Sequence, residues 1–263
     1  MDFWLFVYCT VASLVLLSLV FLYARLRDRF DIIDVFWGIT FIVIALTSYF
    51  LQPEDIKFLS LQTLVTALVI AWGARLAGHI FLRWKSSEKE DKRYVSMRKD
   101  YEKKPGGMVL NMFGRVFMVQ ALLAVVVSMP VIVVNASTDG SLGILALVGF
   151  IVWATGFYFE VVGDYQLKQF IADPKRDGLM TSGLWKYTRH PNYFGEVTQW
   201  WGIFIIALSV PFWWISIIGP IVITILIVFI SGVPMTEKHF EGRDGWSEYK
   251  KKTSIFFPFP PKK

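Results

Sequence analysis

The sequence predicts an all-α protein that crosses a membrane seven times, with its N-terminus outside and its C-terminus in the cytoplasm. Three observations predict it: overall apolarity, the spacing of long apolar runs, and basic residues that alternate from loop to loop. Hydrophobic residues make up 55% of the 263 and charged residues only 18%, with a mean hydropathy of +0.50. That is too apolar for a soluble domain of this length, so lipid is its solvent. Crossing roughly 30 Å of hydrocarbon takes about 20 helical residues. Apolar runs of that order occupy 3–24, 32–52, 59–82, 113–134, 141–163, 194–210 and 212–233. A bilayer core offers no water to unpaired backbone groups, and these runs are continuous where a barrel strand would alternate, so the spans are expected to be helices.

Orientation follows from lysine and arginine counted between spans. The loops after spans one, three and five and the C-terminal tail carry 3, 9, 5 and 7 of them, against 1, 0 and 0 in the intervening loops. Six or eight spans would put a strongly basic loop on the wrong side. Span one starts at Phe3 without a basic segment before it, and no small-residue cleavage site follows, so it reads as a retained helix and not a signal peptide.

The net charge of +6 does not imply nucleic acid as a partner. Its excess cations flank the spans, where they orient the chain and attract anionic headgroups. The lone cysteine, Cys9, permits neither a disulfide nor a Cys-ligated metal site within one chain, and no metal is expected. Asn135-Ala136-Ser137 matches the glycosylation triplet, a pattern common by chance. With no repeat and no linker, the chain reads as one domain spanning 1–263. The hydrophilic stretch 83–107 reads as a solvated cytoplasmic loop with helical pieces.

Ionisable groups inside spans cost several kcal/mol unless they meet a partner or a watery cavity, so each marks a candidate site. Asp34 lies just inside span two, one turn after Asp31. On span three Arg75 and His79 share a face, with Trp72 one turn deeper; Asp34 is an available partner for Arg75, either as a structural ion pair or as part of a site. Span five ends in Glu160 and Asp164, followed by Tyr165, Lys168 and Gln169. Arg115 and Gln120 on span four approach the same membrane surface, where headgroup contacts explain Arg115 equally well.

The densest polar segment precedes span six and reads Gly183-Leu184-Trp185-Lys186-Tyr187, then Arg189-His190-Pro191-Asn192-Tyr193-Phe194-Gly195-Glu196. Pro191 excludes His190 from helical geometry and starts a helix, which puts Asn192, Tyr193 and Glu196 on first turns whose free N–H groups favour anions. Arg189 offers a planar fork for phosphate, and Trp185, Tyr187 and Tyr193 offer faces for a heteroaromatic ring. An aromatic belt with an interfacial arginine is the plainer alternative, although it does not call for Asn192 and Glu196 one turn apart.

This string, with Trp200-Trp201-Gly202 after it and Arg243-Asp244-Gly245-Trp246-Ser247-Glu248-Tyr249 and Phe257-Pro258-Phe259 in the tail, resembles the C-terminal signature of the steroid 5-alpha-reductase and sterol-reductase superfamily. Upstream, Asp34-Val35-Phe36-Trp37-Gly38, Trp72-Gly73-Ala74-Arg75-Leu76, Asp91-Lys92-Arg93-Tyr94 and Gln120 resemble its bacterial branch labelled DUF1295. The resemblance implies a seven-helix enzyme that binds NADPH in a cytoplasm-facing cavity, with a cofactor-binding half at about 141–263, and reduces a carbon–carbon double bond of a lipid-like substrate drawn from the bilayer. It assigns Asp164, Arg189, Asn192, Tyr193, Glu196 and Tyr249 to contacting or supporting the cofactor and Lys168 to a basic position there; Trp185 and His190 belong to the same segment. The acid that the steroid enzymes carry in span two falls on or near Asp34. Their span-three tyrosine falls at Trp72, which has no phenolic proton, so Asp34, His79 or Tyr187 would have to polarise a substrate carbonyl. Asp34 could act as an acid only if burial kept it protonated, and Arg75 pushes the other way.

Two alternatives share the pattern. Isoprenylcysteine and phospholipid methyltransferases have a related fold and an Arg-His-Pro-aromatic-Gly core but bind S-adenosylmethionine, and usually lack the Asn and Glu seen here. A non-catalytic lipid-binding relative is the other. The family branch implies the bacterial cytoplasmic membrane.

Overall fold

The structure is a computed structural model that describes residues 3–52, 59–138, 141–176 and 178–262. The expected outer loop at 53–58, with Lys57, lies outside them. Every regular element among the described residues is helical, and six runs are long and apolar enough to cross a membrane: Phe3–Arg27, Phe30–Phe50, Leu61–Ser86, Gly107–Val127, Ile144–Ala172 and Trp213–Phe240. The chain is an all-α polytopic membrane protein. The expected sixth span is also a helix, Pro191–Ala207, but has only 17 residues, about 26 Å at 1.5 Å per residue.

Contacts sort the chain into two compact units, Met1–Leu142 with Ser209–Ser216, and Gly143–Leu208 with Ile217–Lys263. In the first, α1 (Phe3–Arg27) is followed by a 3₁₀ turn (Phe30–Ile32), then α2 (Ile33–Phe50) and α3 (Leu61–Ser86). Ser60 caps α3 by accepting from the Thr63 N–H at 3.2 Å, satisfying one of the N–H groups a helix start leaves over. Helices α2 and α3 run antiparallel and touch at Gly38 and Gly73, where a Cβ on either residue would stand 2.5–2.6 Å from the other's carbonyl oxygen. Close backbone approach of this kind is how apolar helices gain packing energy when lipid removes the hydrophobic drive.

The stretch read as a loop contains α4 (Lys92–Glu102), capped by Asp91. Then come α5 (Gly107–Met112), a π-helical turn (Phe113–Met118), α6 (Val119–Val127) and α7 (Met129–Asn135). Asn135 of the glycosylation triplet is fully buried. Its amide donates to Ser48 Oγ at 2.8 Å and Thr66 Oγ1 at 3.2 Å, clasping α7 to α2 and α3. A short α10 (Trp213–Ser216) also belongs to this unit.

The second unit is organised by α8 (Ile144–Ala172) and α9 (Pro191–Ala207). Gly149, Gly156 and Gly163 recur every seven residues on α8, as do Gly195 and Gly202 on α9. A Cβ on Gly149 would sit 2.6 Å from the Gly202 carbonyl oxygen, one on Gly156 2.6 Å from that of Gly195, and one on Gly163 3.2 Å from the Asn192 nitrogen. The pair is therefore antiparallel and nearly backbone to backbone, which brings the C-terminal half of α8 against the start of α9. The unit is completed by α11 (Ile218–Ile225), a π-helical turn (Leu226–Ile230), α12 (Val233–Phe240) and α13 (Trp246–Lys252).

Candidate functional site

In the second unit, helix α8 continues nine residues past the end expected at 163, so Glu160, Asp164 and Lys168 follow at four-residue spacing on one helix. Glu160 is buried, Asp164 half-buried and Lys168 exposed, a gradient from interior to surface. Opposite Glu160, Gln199 of α9 donates its amide to the carboxylate at 2.6 Å. Opposite Asp164, the Asn192 amide donates to Oδ1 at 3.0 Å. The glycine packing makes these short side chains meet, since with ordinary residues at 156, 163 and 195 the backbones would stand too far apart.

The approach to α9 is held almost wholly by hydrogen bonds to backbone. A 3₁₀ turn (Gly183–Lys186) seats the Trp185 ring against α8, its indole N–H donating to the Gly163 carbonyl at 3.1 Å. Leu184 N–H donates to the Gln166 side chain at 2.9 Å. The Tyr249 hydroxyl donates to the Trp185 carbonyl at 2.5 Å. Burial pushes the Tyr249 phenol above its usual range; the Arg189 charge opposes this and the Glu237 charge reinforces it. Thr188 is fully buried and donates to the Phe256 carbonyl at 2.8 Å, while Arg189 N–H donates to Ser254 O at 2.9 Å and Phe259 N–H to Tyr187 O at 3.1 Å. The tail is thereby stitched alongside 187–189.

Arg189 itself is 7% exposed. Its Nε and Nη2 both lie 2.7 Å from Glu237 Oε1, and Nη1 donates to the carbonyls of Thr253 at 2.6 Å and Lys250 at 3.2 Å. The guanidinium expected to take phosphate thus binds the protein to itself, because a buried cation requires a counter-charge and satisfied donors. His190, also buried, places Nε2 3.3 Å from the same Glu237 oxygen and stacks on Tyr193 at 5.5 Å. The Tyr193 hydroxyl lies 3.1 Å from Thr236 Oγ1. Glu196 is half-buried one turn further along α9, and Tyr187 is 42% exposed.

Of the residues expected at a cofactor site, the second unit therefore brings Asp164 to Asn192, joins His190 to Tyr193, and links Trp185 to Tyr249. Lys168 stands exposed beyond Asp164. The partner that the sequence does not single out is Glu237. Its signal is an acid just beyond an apolar run, but the expected span ends at 233 and consigns Glu237 to the tail.

The first unit holds a second polar cluster. Asp34 accepts from the Tyr94 hydroxyl at 2.6 Å and from Arg93 Nη2 at 2.7 Å. Tyr94 is 3% exposed, and burial, with the Asp34 charge and hydrogen bond behind it, pushes its phenol well above the usual value against the opposing pull of Arg93 and a hydrogen bond to Gln120. For Asp91, burial would raise the carboxyl, but the hydrogen bonds and charge of Arg93 hold it below its usual value. Asp31 accepts from Arg29 at 3.0 Å, from the Trp84 indole at 2.9 Å and from the Asp91 N–H at 3.0 Å. Glu90 takes the Phe30 N–H at 2.7 Å and Arg98 at 3.0 Å. The stretch expected to be a solvated loop is thus fastened to the start of α2 by acids and arginines, and Tyr94 is part of the core. Arg75 and His79 lie one turn apart on α3, each engaged in further interactions. Arg115 is exposed in the π-helical turn. Among the described residues no group of His, Cys, Asp and Glu could hold a metal ion.

No curated protein and no solved structure matches the chain. A family profile described as "Protein of unknown function (DUF1295)" matches residues 20–253, which include Asp34, Tyr94, Asp164, Arg189, Asn192 and Glu237. The chain belongs to the DUF1295 family.

Proposed function

We propose that this membrane protein is an NADPH-dependent oxidoreductase that reduces a carbon–carbon double bond conjugated to a carbonyl in a lipid-like substrate, as its resemblance to the steroid 5-alpha-reductase and sterol-reductase superfamily implies. The observation that carries the reading is the Asp164–Asn192 hydrogen bond at 3.0 Å. It joins two residues from different helices to which the resemblance gives the same task.

The donor set suits a dinucleotide. Asp164 and Asn192 are half-buried and chemically matched to ribose hydroxyls, and Lys168 is an exposed cation on the next turn of α8. In this reading Arg189, Trp185 and Tyr249 position the segment and do not touch the ligand. When bound, NADPH supplies a hydride for the β-carbon of the alkene. The carbonyl oxygen then gathers negative charge, which a hydrogen-bond donor must stabilise.

Tyr187 is our choice for that donor, replacing the tyrosine that Trp72 lacks. It belongs to the same unit as the Asp164–Asn192 pair. Its backbone is fixed by the tail through Phe259 at 3.1 Å, while its ring is 42% exposed and open to a ligand. A phenol O–H is a hydrogen-bond donor, as this role requires. The α-carbon takes the balancing proton from water. The substrate enters from the lipid, and the bacterial cytoplasmic membrane is the proposed location.

The test is NADPH oxidation by the purified protein with a panel of steroid, polyprenyl and fatty enones. Asn192→Ala and Glu196→Gln should raise KM for NADPH, and Tyr187→Phe should lower kcat by roughly 10²-fold or more, as loss of a positioned acid does. Turnover that ignores all three changes sinks the reading. Thermal stabilisation by S-adenosylmethionine and not by NADPH would point instead to the methyltransferase alternative.

A further inference from the structure

Besides its polar cluster, the first unit contains an apolar groove of about 480 Å³, within the range of about 300–1,000 Å³ usual for small-molecule sites. Tyr23 of α1 forms one side, Val35 and Ile39 of α2 the floor, and Gly78, Phe81 and Trp84 of α3 the other side. One end distinguishes it from ordinary lipid-facing surface. That end is braced, because the Trp84 indole donates to Asp31 at 2.9 Å, Arg29 lies 4.5 Å over the Trp84 ring, and Phe81 stacks on Trp84 at 6.2 Å. Open space lies beside Gly78, where an added Cβ would meet nothing within 4 Å.

Two cations flank the braced end, while the nearby acids Asp28 and Asp31 are already paired with Arg98 and Arg29. Arg27 lies four residues beyond Tyr23 and Lys85 four beyond Phe81, so each continues the groove-facing side of its helix by one turn. Both sit in the last turn of their helices and are exposed. Among the described residues neither enters an ion pair, whereas Arg29, Arg93 and Arg98 nearby are all paired. Tyr23 and Phe81 are 44% and 42% exposed, leaving the side of the groove open to the membrane.

We propose that the groove holds one acyl chain of an anionic phospholipid whose phosphate rests between Arg27 and Lys85. The chain fills the space beside Gly78, and the two cations select the headgroup. This site is separate from the reductase reading, because the lipid is a resident of the fold and undergoes no reaction.

Native mass spectrometry of the full-length protein in detergent, titrated with phosphatidylglycerol or phosphatidylcholine, tests it. The first phosphatidylglycerol should bind about thirtyfold tighter than phosphatidylcholine, in line with two cations each contributing at the membrane surface. Arg27→Gln with Lys85→Gln should erase that preference and leave phosphatidylcholine binding unchanged. Gly78→Leu and, as an independent filling of the same space, Ile39→Phe should weaken both lipids while the helical circular-dichroism signal stays intact. Equal affinity for the two lipids in the unaltered protein would overturn the proposal, as would a preference that survives both the charge change and the filling changes.

Discussion

The two polar clusters neutralise buried charge by different means. In the first unit, Asp34 at the start of α2 is met by Arg93 of α4, charge against charge, and the Arg93 and Asp34 side chains keep 40% and 20% of their surface. In the second, Arg189 and Glu237 keep only 7% and 14%, and two backbone carbonyls do half of the work. The first arrangement can loosen with its charges still wet. The second has no such escape, so its cohesion should depend far more steeply on each member.

The largest expected effect follows from that difference. Arg189→Ala leaves the half-buried Glu237 with His190 as its remaining partner and removes two ties to the tail, and should cost at most about 3–5 kcal/mol, read as a drop in thermal stability in detergent and as proteolytic release of the tail. Arg93→Ala is the matched change in the first unit and should cost no more than about 1 kcal/mol. Similar losses for the two would erase the contrast.

Next in size is Gly156→Leu. Its Cβ would stand 2.6 Å from a backbone oxygen that cannot step aside, so α8 and α9 must separate at a cost of about 1–3 kcal/mol or more. If the proposed function holds, NADPH binding should weaken with it, because Asp164 and Asn192 depend on the same approach. Gly114→Leu is the control. A Cβ there meets nothing within 4 Å, and stability should be unchanged.

A smaller effect is alkaline. Tyr94 and Tyr249 are both held above the ordinary phenol value of 10.0, so the fold binds their protons more tightly than the unfolded chain does. Their contribution is complete below that value and is lost as pH rises beyond it. Melting temperature should fall above about pH 10, and Tyr94→Phe with Tyr249→Phe should flatten the decline. At the acid end, Asp91 is held below its usual 3.8; its contribution is present above that value and disappears as pH falls beneath it.

Much of this architecture can be read from the sequence because hydropathy and helix breakers act locally. Pro191 starts α9 where the sequence predicts, and six of the seven apolar runs become helices long enough to span. Boundaries shift where polar residues remain helical, as in α8 past Asp164. The Tyr94–Asp34 and Arg189–Glu237 pairs are not legible, since they join residues 60 and 48 positions apart and no periodicity reports a contact across separate helices. The glycines at seven-residue spacing are visible as letters, but their meaning requires knowing that α8 and α9 are partners.

The stitching of Arg189 to the tail has a consequence for biogenesis. Its acceptor on Thr253 lies 64 residues downstream, so while α9 is being delivered to the bilayer its leading guanidinium has nothing made yet to receive it. During that interval it must stay hydrated among the headgroups, and it can withdraw into the protein only once the later segment leaves the ribosome. Maturation of this unit is thus ordered in time, with insertion first and burial of the charge second.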